Sequence, residues 1–180
     1  MLKGGAIPVL ETERLLLRAH RAEDFAAHSA MLADEKVTRY VGGKPVSPEE
    51  AWRKLIGAAG VWTLLGYGYW SVERKEDGLY IGQVGFADFK RDMEPSIAGL
   101  PEMGWLFASH AHGRGYASEA VAAGLAWADE ALKGQEVVAI INPNNASSIK
   151  VAEKAGFARR EEAIYKGESI LLFRRPARSS

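Results

Sequence analysis

Nine residues, His112-Gly113-Arg114-Gly115-Tyr116-Ala117-Ser118-Glu119-Ala120, constrain this chain most, because two glycines stand where an apolar run turns into a long helix. Upstream, Glu102-Met103-Gly104-Trp105-Leu106-Phe107-Ala108 follows a proline and has the bulky content of a buried strand. From Tyr116 the period changes: Ala117, Ala120, Val121, Gly124, Leu125, Ala128 and Leu132 recur at threes and fours, the apolar stripe of one helix. The small residues on that stripe predict close packing against a sheet. A residue without Cβ takes positive φ and lets a ligand approach the backbone. Free N–H groups at a helix start, helped by the helix dipole, attract phosphate without any cationic side chain. The stretch from Gly113 to Ser118 therefore reads as an anion cradle that fits a pyrophosphate.

Two other phosphate motifs are excluded by residue type. A P-loop needs a Gly-Lys-Ser/Thr ending, and a dinucleotide fingerprint needs a third glycine where this chain has Ser118. A tight turn with no ligand remains as the plain alternative. A second stretch decides between them: Asn142-Pro143-Asn144-Asn145-Ala146-Ser147-Ser148-Ile149-Lys150-Val151-Ala152-Glu153-Lys154-Ala155-Gly156-Phe157. Together the two stretches resemble the GNAT superfamily of acyl-CoA-dependent N-acyltransferases. Its Gln/Arg-x-x-Gly-x-Gly/Ala signature reads here as His112 to Ala117, with histidine departing from the pattern at the first place. The longer form, Gly-x-Gly-Tyr-Ala-x-Glu-Ala with Asn-x-x-Ser and Glu-Lys-x-Gly-Phe, resembles the branch of the RimJ and RimL ribosomal-protein N-terminal acetyltransferases. The opening Leu10-Glu11-Thr12-Glu13-Arg14-Leu15-Leu16-Leu17-Arg18 resembles that branch too.

At 180 residues and 47% hydrophobic content, the chain fits one domain, 1–180, with a sizeable core. Twenty-three basic residues balance 23 acidic ones, so no overall field favours nucleic acid or an anionic membrane. Without cysteine there is no disulfide framework, no Cys-based metal site and no thioester intermediate on the enzyme. No charged segment leads into a long apolar run, which predicts a soluble cytoplasmic protein.

Along the chain, residues 1–9 lack periodicity and read as a frayed lead-in, and residues 12–18 as the first strand. Asp24, Phe25, His28, Met31 and Leu32 predict a short helix with His28 on its surface. Ser47-Pro48-Glu49-Glu50 is a capping box with proline at the first helical position, and Ala51, Trp52, Leu55, Ile56 and Ala59 supply that helix with an apolar stripe. Trp52 either packs on the sheet or, by the resemblance, walls an acceptor site. Gly66 to Arg74 and Leu79 to Ala87 predict a hairpin around Glu76-Asp77-Gly78. The fourteen residues from Asp88 to Pro101 form a long loop with exposed-looking Phe89, Met93 and Ile97, and read as an acceptor-binding loop or a plain connection. Glu136 to Ile141 predicts a buried strand, Asn145 (or Asn144) and Gly156 the caps of the next helix, and Lys166-Gly167 the turn of a final hairpin. Arg175 to Ser180 reads as a polar tail.

Acetyl transfer from a thioester to an amine needs a neutral amine, a polarised carbonyl and a proton for the departing thiolate, so positioning and proton transfer dominate. An α-amino group with pKa near ~8 needs a base less than a lysine amine near ~10.4. The resemblance implies Glu102 as general base, against the alternative of an exposed strand-end carboxylate. Many family members carry a tyrosine four residues before the Gly-Phe pair, where this chain has Ala152. Ser148, which completes Asn-x-x-Ser, is the candidate at the thiol sulfur, with Tyr165 a weaker one and plain exposure the alternative for Ser148. The resemblance implies that the pantetheine arm lies beside the main chain around Leu106 and Ala108, and the pyrophosphate is expected on Gly113, Arg114, Gly115, Tyr116, Ala117 and Ser118. Asn145 and Lys150 join that coenzyme set, Arg114 and Lys150 screening charge, and His112 is expected to cap the cradle. His110 and His112 have no cysteine or carboxylate cluster to complete a metal site. The expectation is a mixed α/β GNAT fold, one largely antiparallel central sheet flanked by about four helices, using acetyl-CoA as co-substrate to acetylate a primary amine. A homodimer is left open, and the competing class is an acyl-CoA-binding module without turnover.

Overall fold

The computed structural model describes residues 6–177. In chain order they form β1 (Leu10–Glu11), β2 (Leu15–Arg18), α1 (Phe25–Ala33), α2 (Glu35–Thr38), α3 (Pro48–Leu65), β3 (Tyr69–Arg74), β4 (Leu79–Ala87), β5 (Met93–Glu94), β6 (Glu102–Phe107), α4 (Tyr116–Ala131), β7 (Val137–Ile141), α5 (Ala146–Lys154), β8 (Arg159–Tyr165) and β9 (Glu168–Arg175), with two 3-10 turns at Ala22–Asp24 and Ser109–Ala111. The strands make one sheet in the order β1-β2-β3-β4-β6-β7-β9-β8-β5. Every neighbouring pair is antiparallel except β6 and β7, which run parallel and share the single register pair Glu102↔Val138. Beyond Glu102 the two strands part, and the sheet opens into a V between them.

Local chemistry accounts for the boundaries. Ser47 Oγ accepts from the Glu50 amide at 3.2 Å with Pro48 at the first helical position, and Gly66 ends α3 in the left-handed region at φ 76. Lys166 at φ 52 and Gly167 at φ 79 form the two-residue turn joining β8 to β9, the backbone that suits a tight hairpin. Asn145 caps α5, its side chain accepting from the Ser148 amide at 3.2 Å.

Alternation along the strands divides the core between the sheet faces. Trp70, Val72, Val84, Phe86, Met103 and Phe107 meet the α4 stripe of Tyr116, Ala120, Val121 and Leu125 on one face. A Cβ at Gly124 would stand 3.1 Å from Met103 Cε, so the small residues of α4 do let it lie close to the sheet. On the other face Tyr80 and Leu106 meet Met31 and Leu32 of α1 and Val37 of α2.

Several expectations are corrected. The start of the chain is ordered from residue 6: the Pro8 carbonyl accepts from Trp70 Nε1 at 2.8 Å and Ile7 packs on the core, while residues 1–5 lie outside the described residues. His28 is not on the helix surface; it is 1% exposed, with Nδ1 3.0 Å from the Tyr80 hydroxyl. On α3 the buried residues are Ala51, Leu55 and Trp62, whereas Trp52 is 39% exposed and stacks edge-on against Phe25 at 5.2 Å. The buried stripe of Ala51 and Leu55 is therefore offset by one residue, roughly 100° around the helix, from Trp52 and Ile56. Met93 and Ile97 are buried, because β5 pairs with β8 and seats both in a cluster with Val138 and Leu172. Arg175 belongs to β9, buried and paired twice with Asp129 at 2.7 and 2.8 Å, and residues 178–180 of the expected tail lie outside the described residues. The described residues hold five helices with the four-residue α2 included, in keeping with the expected mixed α/β fold of about four.

Candidate active site

Because β6 and β7 are parallel, the helices that follow them, α4 and α5, both begin at the open end of the V. The cradle is the stretch between β6 and α4. Gly113 and Gly115 take φ of 71 and 80, and no side chain caps α4. The first ladder bond of α4 runs from the Glu119 amide to the Gly115 carbonyl at 3.1 Å, which leaves the amides of Tyr116, Ala117 and Ser118 outside the ladder. Residues 112–115 are exposed. The backbone is thus shaped for an anion at a helix start, the geometry that a pyrophosphate requires.

What fixes this turn comes from the start of the chain. Glu119, on the first turn of α4, accepts from Thr12 Oγ1 at 2.6 Å, from the Arg14 amide at 2.9 Å and from Arg14 Nε at 2.7 Å. Arg14 Nη1 then donates to the Arg114 carbonyl at 2.9 Å, and its guanidinium lies 4.5 Å from the centre of the Tyr116 ring. Arg14 thus ties the Arg114 carbonyl to the Glu119 carboxylate and fixes the turn between the two glycines. The sequence carried this signal, since Thr12, Arg14 and Glu119 all stand in the quoted motifs, but nothing in either motif shows that they meet. Burial opposes ionisation of Glu119, and the Thr12 and Arg14 bonds overcome it, so the carboxyl sits below its usual range.

His112 does not cap the cradle. Its Nε2 lies 2.8 Å from the Phe107 carbonyl, so the ring N–H donates back to β6 instead. Along β6 the backbone groups alternate in direction. The Pro101 carbonyl accepts from the β7 amide of Val138, and the Ala108 amide donates to Ile81 at 2.9 Å on the β4 side. By that alternation Met103, Trp105 and Phe107 present their main-chain groups to the V, while those of Leu106 and Ala108 face β4. Leu106 instead contributes its side chain to the α1 face.

At the closed end of the V stands Glu102, 5% exposed, so it is not an exposed strand-end carboxylate. Arg91, from the loop after β4, donates to both its oxygens, Nε to Oε2 at 2.6 Å and Nη2 to Oε1 at 2.8 Å. The Arg91 guanidinium lies 4.8 Å from the ring centres of both Phe89 and Tyr165. Tyr69 is buried and its ring crosses the sheet at Gly85: a Cβ at Gly104 would overlap its hydroxyl, and burial pushes its phenol far up. Neither Arg91 nor Tyr69 was singled out from the sequence. Five β6 steps of ~3.3 Å place Glu102 roughly 17 Å from Phe107 and the cradle beyond it. Ser148 and Lys150 sit in the first turns of α5, Ser148 half-buried and Lys150 exposed, and Asn145 is engaged as the α5 cap. Ala152 is fully buried.

Residues 14–158 match the family model described as "Acetyltransferase (GNAT) domain". The chain belongs to the GNAT acetyltransferases. The GNAT fold shows in the likeness to a putative GNAT-family acetyltransferase from Bordetella pertussis, at 31% identity with a TM-score of 0.81, covering 94% of this chain and 99% of that one. Among curated relatives, the uncharacterized protein YkkB of Bacillus subtilis is 30% identical over 82% of this chain and 83% of its own. The uncharacterized N-acetyltransferase YoaA of the same organism is 29% identical over 84% of each chain. As a GNAT protein the chain takes acetyl-CoA as co-substrate, and the uncapped α4 start is a fit for that coenzyme's pyrophosphate. Among the described residues no helix is long and apolar enough to cross a membrane.

Proposed function

We propose that this GNAT protein acetylates a primary amine, a protein N-terminus or a small-molecule amine, by direct attack in a ternary complex, as one catalytic domain of the RimJ/RimL-like branch working in the cytoplasm. The observation that carries the reading is the V itself, with an uncapped helix start at its open end and a buried carboxylate at its closed end. In this reading the amides of Gly113 to Ser118 bind the pyrophosphate, and Arg114 and Lys150 screen its charge. The main chain of Trp105 and Phe107 lines the V for the pantetheine arm, with Leu106 and Ala108 forming the wall behind it. Acetyl-CoA supplies an activated thioester carbonyl. Glu102 accepts the proton of the amine, directly or through one water, and Ser148, held by the Asn145 cap, supports the departing sulfur.

Two observations favour a second reading, an acyl-CoA-binding protein with little turnover: Arg91 engages both oxygens of Glu102, and Ala152 stands where many relatives in the family have tyrosine. Calorimetry with acetyl-CoA followed by an acetylation screen over peptides with free N-termini and small amines separates them. Binding with acetylation of at least one acceptor supports the first reading. Binding with no transfer across the panel replaces it by the second.

A further inference from the structure

The closed end of the V already holds a cation, and the chain supplies it. Arg91 makes the contacts a ligand guanidinium or ammonium would make: a carboxylate on one edge and two aromatic rings at 4.8 Å each. The side chains of Glu102 and Arg91 are 7% and 19% exposed, so the pair lies largely out of water. With Arg91 seated, the space beside Glu102, walled by Asp88, Ile97 and Leu100, has no room for a water-sized molecule, so a ligand enters only as Arg91 leaves. The parts of the site differ in how they are held. Glu102 sits in a core strand between β4 and β7, and Tyr165 in a strand paired to two others. Arg91 comes from a loop segment whose neighbours Phe89 and Lys90 are exposed, held on one side by Asp88, which accepts from the Lys90 amide at 3.1 Å, and on the other by the pairing of β5 from Met93. Glu102 and Tyr165 are built into the sheet, whereas Arg91 and the Phe89 ring share the loop after β4.

We infer that the Phe89, Glu102 and Tyr165 box is the ammonium site for the acceptor, and that Arg91 is a tethered occupant which the acceptor displaces. This rests on the N-acetyltransferase reading and deepens it: the acceptor is a primary amine that arrives protonated and exchanges for the Arg91 cation. At neutral pH an α-amino group or a lysine-type amine is mostly cationic, so the species reaching the site carries the charge that Arg91 carries there now. A guanidinium spanning both oxygens of Glu102 occupies the lone pairs that would face the amine, and its departure frees them. The same displacement explains why a carboxylate suited to take a proton is found engaged at both oxygens: the engaged form is the resting form. A tethered cation competes as an intramolecular ligand at an effective concentration in the millimolar range, which sets the acceptor concentration needed to replace it.

The test uses n-butylammonium and the full chain, without acetyl-CoA. Calorimetry compares the wild type, Arg91→Met, which keeps an apolar stem without charge, and Arg91→Met combined with Glu102→Gln. The expected result is binding at least about tenfold tighter in Arg91→Met than in the wild type, as removal of a competing tethered ligand dictates, and loss of that gain in the double variant. Arg91→Lys, which keeps charge but not the planar fork, should fall between and serves if the methionine variant does not fold. Equal affinity in the wild type and a folded Arg91 variant, or a gain that survives Glu102→Gln, overturns the inference. Because this readout involves no turnover, it stands apart from the acetyltransferase reading, which the amine screen decides. Where transfer is observed, Arg91→Met should lower KM for the acceptor about tenfold by the same competition. If Arg91 instead holds Glu102 in place for catalysis, Arg91→Met lowers kcat and added guanidinium restores it, which also overturns the inference.

Discussion

The two ends of the V are made of different material. At the cradle the prospective ligand contacts are backbone amides, and the side chains, Thr12, Arg14 and Glu119, work behind them to hold the turn. At the closed end the contacts are side chains, Glu102, Arg91, Phe89 and Tyr165, brought from three separate parts of the chain. A backbone site needs glycines and a helix start in one contiguous run, so it leaves a motif. A side-chain site assembled across elements leaves none. That difference is why the coenzyme can be read from this sequence and the acceptor cannot.

Substitutions at one end should leave the other untouched, and the largest effect belongs to the closed end. Glu102→Gln keeps the shape and removes the proton acceptor, so kcat should drop at least about a hundredfold with acetyl-CoA affinity unchanged, checked by steady-state kinetics and calorimetry. At the cradle, Arg14→Ala removes the bond to the Arg114 carbonyl and one charged partner of Glu119. A charge-assisted bond of about 1.5–3 kcal/mol predicts acetyl-CoA binding weaker by about tenfold or more, with the ranking of acceptors preserved. A changed ranking would mean that the two ends are coupled. Phe89→Ala, at an exposed position beside Arg91, should move KM for the acceptor only a few-fold, in keeping with a cation–π contact of ~0.5–1 kcal/mol, and leave acetyl-CoA binding alone.

A smaller effect separates stability from both ends. Burial holds His20 and the α1 residue His28 at pKa values of about 4, down from 6.5; for His20 the neighbouring His28 adds to it. The unfolded chain therefore binds these protons first as pH falls. Their contribution is complete above pH 6.5 and declines from there towards about pH 4. Urea midpoints should fall between pH 7 and pH 5, and the fall should be shallower in a folded His28→Gln variant; a pH-independent midpoint would show that neither ring is buried neutral.

Local chemistry made much of the fold legible. The Ser47 cap, the Asp77-Gly78 and Lys166-Gly167 turns and the α4 stripe each encode their geometry within a few residues. The misreadings share a cause, which is partnership at long range. His28 looked like surface because its partner, Tyr80, lies 52 positions away. Met93 and Ile97 looked exposed because β5 finds its mate in β8, far down the chain. Arg175 looked like tail until Asp129 of α4 stood opposite it. Leu106 and Ala108 were offset by one residue because strand parity is set by the Pro101 to Val138 bond, which no motif records.

The central claim, that the coenzyme is held by backbone at a glycine turn, is tested most directly by titrating acetyl-CoA into the wild type and Gly115→Val. At φ 80 an L side chain, and a β-branched one above all, is strained, so the turn relaxes away from that conformation and carries its amides with it, while the Arg14 tip, 3.3 Å from a Cβ there, gives way. The account predicts binding by the wild type and affinity at least about tenfold weaker in a variant whose circular dichroism shows it folded, since a charge-assisted contact of about 1.5–3 kcal/mol is disturbed. Equal affinity in the two folded proteins would contradict it.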